Sequence, residues 1–225
     1  MIETFPSRDA LADATADALT EILTAPGVGP LVCAGGSTPG PVYDRLATRD
    51  LPWDRLAVTL TDERWVDPTS DESNEKLIRQ RLLTGSAARA TFLPLKGDGA
   101  SPEADAAAAN TRLRDVPPWS AVLLGMGADG HVASLFPGSS ALAAGLDFDA
   151  PDLVIAVDQA GLEPFVPRIT LTARALVRAG VIIFLVSGEE KRTVIDRIAT
   201  DPGYAPPAAA FLRQTRCPVR VMWAG

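Results

Sequence analysis

The chain has 225 residues, of which 47% are hydrophobic and 22% charged, and its formal net charge is −7. A chain of this length buries roughly 70% of its unfolded surface, so a full core is within reach without cross-links. The acidic balance excludes general nucleic-acid binding, which needs a basic face, and docking on anionic lipid; an anionic small molecule would have to be met by a local basic cluster.

In chain order, the first stretch is acidic and lacks the basic start and apolar run of a secretory leader, and no window reaches about 18 uninterrupted apolar residues. A cytoplasmic protein is therefore expected. Ser7 is placed to cap a helix running to about Leu23. There follow the apolar run GPLVCA and a helix from Pro39, the run RLAVTL and a helix over Asn74 to Leu83, an alanine-rich helix over Ala104 to Arg114, and the runs SAVLLG and DLVIAV. The run GVIIFLVSG then leads into a helix from Glu189, and CPVRVMW comes last. Short β-branched runs alternating with helical patterns predict βαβ units around a mostly parallel sheet, an α/β fold. The loops TAPGVGP, LKGDGASP and TDPGYAPP are short enough to punctuate one domain over residues 1–225 rather than to link two. Cys33 and Cys217 lie far apart in apolar settings without a CxxC spacing, which reads as two buried, reduced thiols.

Ligands of open parallel α/β sheets bind outside the carboxyl ends of the strands, so the loops that follow strands carry the functional signal. In Gly35-Gly36-Ser37-Thr38-Pro39, paired glycines allow close backbone approach, Ser37 or Thr38 can cap the next helix and Pro39 suits its first turn. Free N–H groups there would face an anion; a plain strand-to-helix turn accounts for the pattern equally well. Asp62-Glu63-Arg64 follows the next strand, as a site triplet or as a solvated ion pair.

Gly125 to Gly130 spells GxGxxG, but Pro137-Gly138 cuts short any following helix and no acidic residue ends the next strand, so a dinucleotide site is not expected. What the turn does deliver is Asp129 and His131, the only histidine in the chain, to the top of the sheet. Arg168 is charged at the head of an apolar strand. Lys191 falls in the first turn of a helix, where the macrodipole disfavours a cation; a bound anion would compensate it, and a freely solvated lysine accounts for the placement equally well.

Taken together, these stretches resemble the family of 6-phosphogluconolactonases and glucosamine-6-phosphate deaminases. The resemblance rests on Gly35 to Pro39, Asp62 to Val66 with Ser73-Asn74, Gly125 to His131 continuing through Ala133 to Gly138, Arg168 to Thr172, and Ser187-Gly188 with Lys191. It implies a three-layer α/β fold, with a mostly parallel sheet flanked by helices on both faces. It also implies hydrolysis of 6-phospho-D-glucono-1,5-lactone, the second step of the oxidative pentose phosphate pathway, without metal or organic cofactor. By position, His131 would be the general base with Asp129 as a candidate to orient it. Gly35, Gly36, Ser37, Thr38, Arg64, Arg168 and Lys191 would hold the phosphate, and Asp62, Gly127 and Ser134 would line the rest of the pocket. The partner is a sugar phosphate, with no nucleic acid or membrane, and the acting unit is a monomer or a weak homodimer. Val132, where threonine is common, and the thin proline run before Arg168 depart from the pattern. The deaminases follow Asp-Gly-His with a stretch whose glutamate works with the histidine; here Phe136 stands at that place, which favours the lactonase over the deaminase. A non-catalytic sugar-phosphate sensor on the same fold is the remaining alternative.

Overall fold

The computed structural model describes residues 2–158 and 164–225. The chain opens with β1 (Ile2–Phe5), α1 (Arg8–Thr24), β2 (Leu31–Cys33), α2 (Gly40–Ala47), β3 (Ala57–Leu60), β4 (Asp62–Arg64), α3 (Asn74–Arg81) and β5 (Thr91–Phe92). It continues with α4 (Pro102–Leu113), β6 (Ala121–Leu124), α5 (Leu142–Leu146), β7 (Val154–Val157), β8 (Arg168–Leu171), α6 (Ala173–Leu176), β9 (Ile182–Ser187), α7 (Glu189–Thr200), α8 (Pro207–Arg213) and β10 (Val219–Ala224).

Seven strands form one parallel sheet in the order β1-β10-β9-β6-β2-β3-β5. The central runs are apolar without alternation because both faces are covered: every residue of β2 and β6 is buried, as are Ile182 to Val186 of β9. The crossovers through α1 and α2 advance towards β5, whereas that through α7 and α8 advances towards β1. Right-handed crossovers in opposite directions lie on opposite faces, which gives the three layers. The direction reverses between β2 and β6, and this switch point opens a crevice at their carboxyl ends. Into it run the two glycine-rich loops, Ala34 to Pro39 and Gly125 to His131.

Ser7, Ser73, Ser101 and Thr172 cap their helices by accepting from the backbone N–H three residues on. The expected cap of α2 by Ser37 or Thr38 is not formed. The cap position is Pro39 with no side-chain hydrogen bond, and Thr38 Oγ1 instead lies 3.1 Å from Ser187 Oγ, tying the loop after β2 to the end of β9.

A second correction concerns the sheet. Asp62 to Arg64 is a short strand rather than a loop, and β4, β8 and β7 form a separate three-stranded antiparallel sheet. Only residues 158–167 separate β7 from β8, too few for a helical crossover, so these two strands pair antiparallel, and β4, which leaves the end of β3 after Thr61 alone, pairs antiparallel with β8. Register sets Asp62 opposite Thr170 and Arg64 opposite Arg168. With side chains alternating across a strand, Asp62, Arg64, Arg168 and Thr170 share one face and Glu63 takes the other. Cys33 and Cys217 are both buried and free, and burial pushes the Cys33 thiol up to about 12.

Candidate active site

A cleft of about 270 Å³ sits over the switch point, and its wall includes Gly35, Gly36, Ser37, Thr38, Asp62, Arg64, Gly127, His131, Arg168 and Lys191. Of the twelve residues named from the sequence, ten therefore meet in one place. The other two lie behind it.

Asp129 stands behind His131: its Oδ1 is 2.6 Å from the ring Nδ1 and also accepts the His131 backbone N–H at 3.1 Å. Such an Asp-x-His turn is a local device, closed by Gly127 N donating to His131 O and Gly130 N to Gly127 O. With Nδ1 engaged by a carboxylate, the neutral ring carries its proton there, and Nε2 is left as the basic nitrogen. Gly127 is required by close approach rather than by its backbone angles. A Cβ on it would fall 2.6 Å from Asp129 Oδ1 and within 3.0 Å of the imidazole itself.

Ser134 does not line the cleft, contrary to expectation. It is fully buried, donates from Oγ to Asp62 Oδ2 at 2.6 Å, and donates its backbone N–H to Thr170 Oγ1 at 3.2 Å. The reason is the turn before it. Ala133 has φ +48°, the one left-handed residue other than glycine among those described, and Leu135 N closes on Val132 O. This turn throws Ser134 inward onto the antiparallel sheet. Backbone strain of this kind persists only where surrounding contacts over-determine it.

Three cations line the same cleft. Arg64 and Arg168 face each other in register, an arrangement that repels unless a counter-charge is supplied. Among the described residues none of Arg64, Arg168 and Lys191 has a carboxylate within 4.0 Å, whereas Arg81, Arg216 and Arg220 are paired with Asp44, Asp149 and Glu3. Arg168 is 5% exposed, yet its Nε has no partner; the same is true of Arg64 Nε, although Arg64 Nη1 donates to Glu72 O at 2.6 Å. Burial pushes the Arg168 pKa below its ordinary value; the nearby Asp62 charge opposes this and Arg64 adds to it. Lys191 is likewise lowered by burial, against the pull of Glu190. Among the described residues, the backbone N–H groups of Gly36, Ser37 and Thr38 meet no protein acceptor. Free backbone donors, cations without a close carboxylate and a left-handed glycine at Gly36, φ +96°, are the chemistry that suits an anion.

Three contributors escaped sequence reasoning. Glu63 points away from the cleft and holds the start of α3, its carboxylate accepting from Arg64 N, Asn74 N, Glu75 N and Ser73 Oγ at 2.7 to 3.0 Å. Burial nevertheless pushes its pKa up. Asn74, thereby fixed, lies against Gly35 and donates from Nδ2 to Asp62 O at 2.8 Å. Phe136 packs on His131. Each lies in a stretch singled out in the sequence, Asp62 to Val66, Ser73-Asn74 and Ala133 to Gly138, but none is given a part in the site by the sequence alone. Among the described residues no three His, Cys, Asp or Glu side chains converge to hold a metal ion, and no helix is long and apolar enough to cross a membrane.

The fold and the cleft together define an α/β protein with a carboxylate-backed histidine and three cations in the wall of one crevice. Residues 6–223 match the family model described as glucosamine-6-phosphate isomerases/6-phosphogluconolactonase, and the chain belongs to that family. It is 45% identical to a 6-phosphogluconolactonase of Caulobacter vibrioides over 99% of this chain and 97% of the relative. A 6-phosphogluconolactonase of Rhizobium meliloti is 38% identical over 98% and 97%. Among solved structures, a 6-phosphogluconolactonase from Shewanella baltica superposes with a TM-score of 0.93 at 35% identity, covering 100% of this chain and 97% of that one. A monomeric glucosamine-6-phosphate deaminase shares the fold, with a TM-score of 0.78 at 17% identity over 99% and 96%.

Proposed function

We propose that this chain hydrolyses 6-phospho-D-glucono-1,5-lactone to 6-phospho-D-gluconate, the second step of the oxidative pentose phosphate pathway. The observation that carries this reading is the pairing, within one cleft, of a carboxylate-backed histidine with three cations that have no ion-pair partner among the described residues. A 1,5-lactone is an activated ester, so catalysis needs an oriented water, a proton acceptor and stabilisation of the oxyanion. In this mechanism His131 Nε2 takes the proton as water attacks the C1 carbonyl, Asp129 holding the ring and stabilising the imidazolium. Collapse of the tetrahedral oxyanion breaks the bond from C1 to the ring oxygen, which receives the proton back from His131. Arg64, Arg168, Lys191 and the N–H groups of Gly36 to Thr38 hold the remote phosphate, whose binding energy fixes the lactone in a reactive pose. Asp62 and Gly127 complete the wall, with Ser134 supporting Asp62 from behind.

The same reading takes residues 1–225 as one lactonase domain, a single hydrophobic cluster joining residues of both sheets. It takes a monomer as the acting unit, since one chain supplies the whole cleft, and the cytoplasm as its location, which suits two free thiols. The experiment is the decay of freshly generated lactone with and without catalytic protein, corrected for spontaneous hydrolysis. Acceleration is expected, falling about 10²- to 10⁴-fold in His131→Asn. Folded protein that gave no acceleration, or that released ammonia from glucosamine 6-phosphate, would overturn the reading.

A further inference from the structure

The contacts of Phe136 go beyond core packing. Its ring, 2% exposed, lies 4.7 Å from the His131 imidazole, centroid to centroid, with the planes inclined at 43°. The guanidinium carbon of Arg168 stands 5.6 Å over the same ring. Both separations fall within the ranges at which aromatic pairs and cation–π pairs attract.

This matters because little else holds Arg168. Its one hydrogen bond among the described residues is Nη2 to Pro164 O at 3.2 Å, no carboxylate lies within ion-pair distance, and its Nε is unpartnered. A carboxylate would fix the guanidinium but would have to be displaced by an incoming anion. An aromatic face holds the cation by its centre and leaves the N–H donors at its edge available. The ring itself is firmly mounted. It follows the Ala133 turn, and Ser134 between them is pinned to Asp62 and Thr170 of the antiparallel sheet that also carries Arg168.

We propose that Phe136 is a positioning residue that sets the Arg168 guanidinium and the His131 imidazole relative to one another. It thereby couples anion binding at Arg168 to proton transfer at His131. The inference deepens the lactonase reading and rests on it for the catalytic arm; the anion arm stands on its own.

The test uses Phe136→Leu, Phe136→Met and Phe136→Tyr in the full chain, with inorganic phosphate binding measured by calorimetry and kcat and KM measured on the lactone. Phe136→Leu and Phe136→Met are expected to weaken phosphate binding about 3- to 30-fold, the range of a lost partly desolvated cation–π contact. Both should also lower kcat about 10-fold or more through misplacement of the imidazole. Phe136→Tyr, which keeps the ring face, is expected to restore phosphate binding. In an Arg168→Met background the phosphate effect of Phe136→Leu should vanish while its kcat effect persists, and in a His131→Asn background the reverse should hold. Wild-type phosphate affinity in folded Phe136→Leu would overturn the proposal, as would an undiminished loss in the Arg168→Met background. Failure of all three variants to fold would assign the ring to the core alone and overturn it too. If the wild-type protein binds phosphate but leaves the lactone untouched, the lactonase reading fails and the anion arm is judged by the phosphate measurements.

Discussion

Replacing Gly127 by alanine isolates the placement of the imidazole from every other feature of the cleft. Gly127 is not among the left-handed glycines, so its backbone accepts a side chain without strain. The new methyl, however, would lie within 3.0 Å of His131 Cε1 and Nδ1 and 2.6 Å from Asp129 Oδ1. Carbon atoms in contact settle at about 3.5 to 4.0 Å, so the ring must retreat by roughly 1 Å or swing away from its carboxylate. A displacement of that size at a reacting group costs about 10²-fold in rate. Arg168 meets the displaced ring only through Phe136, so the loss should fall mainly on kcat, with a smaller change in KM. Steady-state kinetics on fresh lactone, with circular dichroism to establish folding, separates the two parameters. A folded Gly127→Ala protein with wild-type kcat would show that the observed position of His131 is not the one that matters for turnover.

Two further perturbations probe the surroundings. Ser134→Ala removes one of the two hydroxyl donors to the buried Asp62 carboxylate, the other being Thr61 Oγ1 at 2.8 Å; the cost to stability should be about 1 to 3 kcal/mol. An unchanged urea midpoint would contradict this. For Lys191, burial lowers the pKa and an anion binds only the charged form. Competitive inhibition by 6-phosphogluconate should therefore be full at neutral pH and weaken as pH rises through a value below the ordinary lysine pKa of about 10.4. The inhibitor's phosphate, with a second pKa near ~6, is already dianionic there and adds no slope. Lys191→Arg should flatten this limb, and an identical limb in that variant would assign the titration elsewhere.

Much of this arrangement was legible because its signals are local. Buried parallel strands are unbroken apolar runs, so β2, β3, β6, β9 and β10 stand out, and the loops that follow β2 and β6 advertise a site by their glycines. Weak strands escaped: β1 is four residues at an edge and β5 only two. The helix α8 hides behind Pro206-Pro207, which reads as a loop although proline suits a first turn. The antiparallel sheet escaped for a different reason. Its strands are as apolar or as charged as their neighbours, and only pairing partners, which sequence separation conceals, distinguish them. The inward placement of Ser134 depends on a left-handed angle at Ala133, a residue that seldom adopts one. Glu63 beside Asp62 shows the same limit. Adjacent acids with like surroundings in sequence are sent by strand alternation to opposite faces, one to the cleft and one to the start of α3.

The two sheets divide the work. The parallel sheet supplies the crevice, the backbone donors and the histidine at its switch point, while the antiparallel sheet supplies both arginines. Thr61, Asp62 and Ser134 bind one sheet to the other, since Leu171 N donates to Thr61 O and Ser134 Oγ to Asp62. This arrangement explains how a chain of net charge −7 can receive a dianion. At physiological ionic strength the Debye length is about 8 Å, so the acidic surface is largely screened from a ligand already in the cleft, whereas cations at hydrogen-bonding distance are not. Several acidic residues are paired with arginines on the outer surface, while among the described residues none comes within 4.0 Å of Arg64, Arg168 or Lys191. The local sign of the field, with Arg64, Arg168 and Lys191 together in the cleft wall, therefore differs from what net charge alone would suggest.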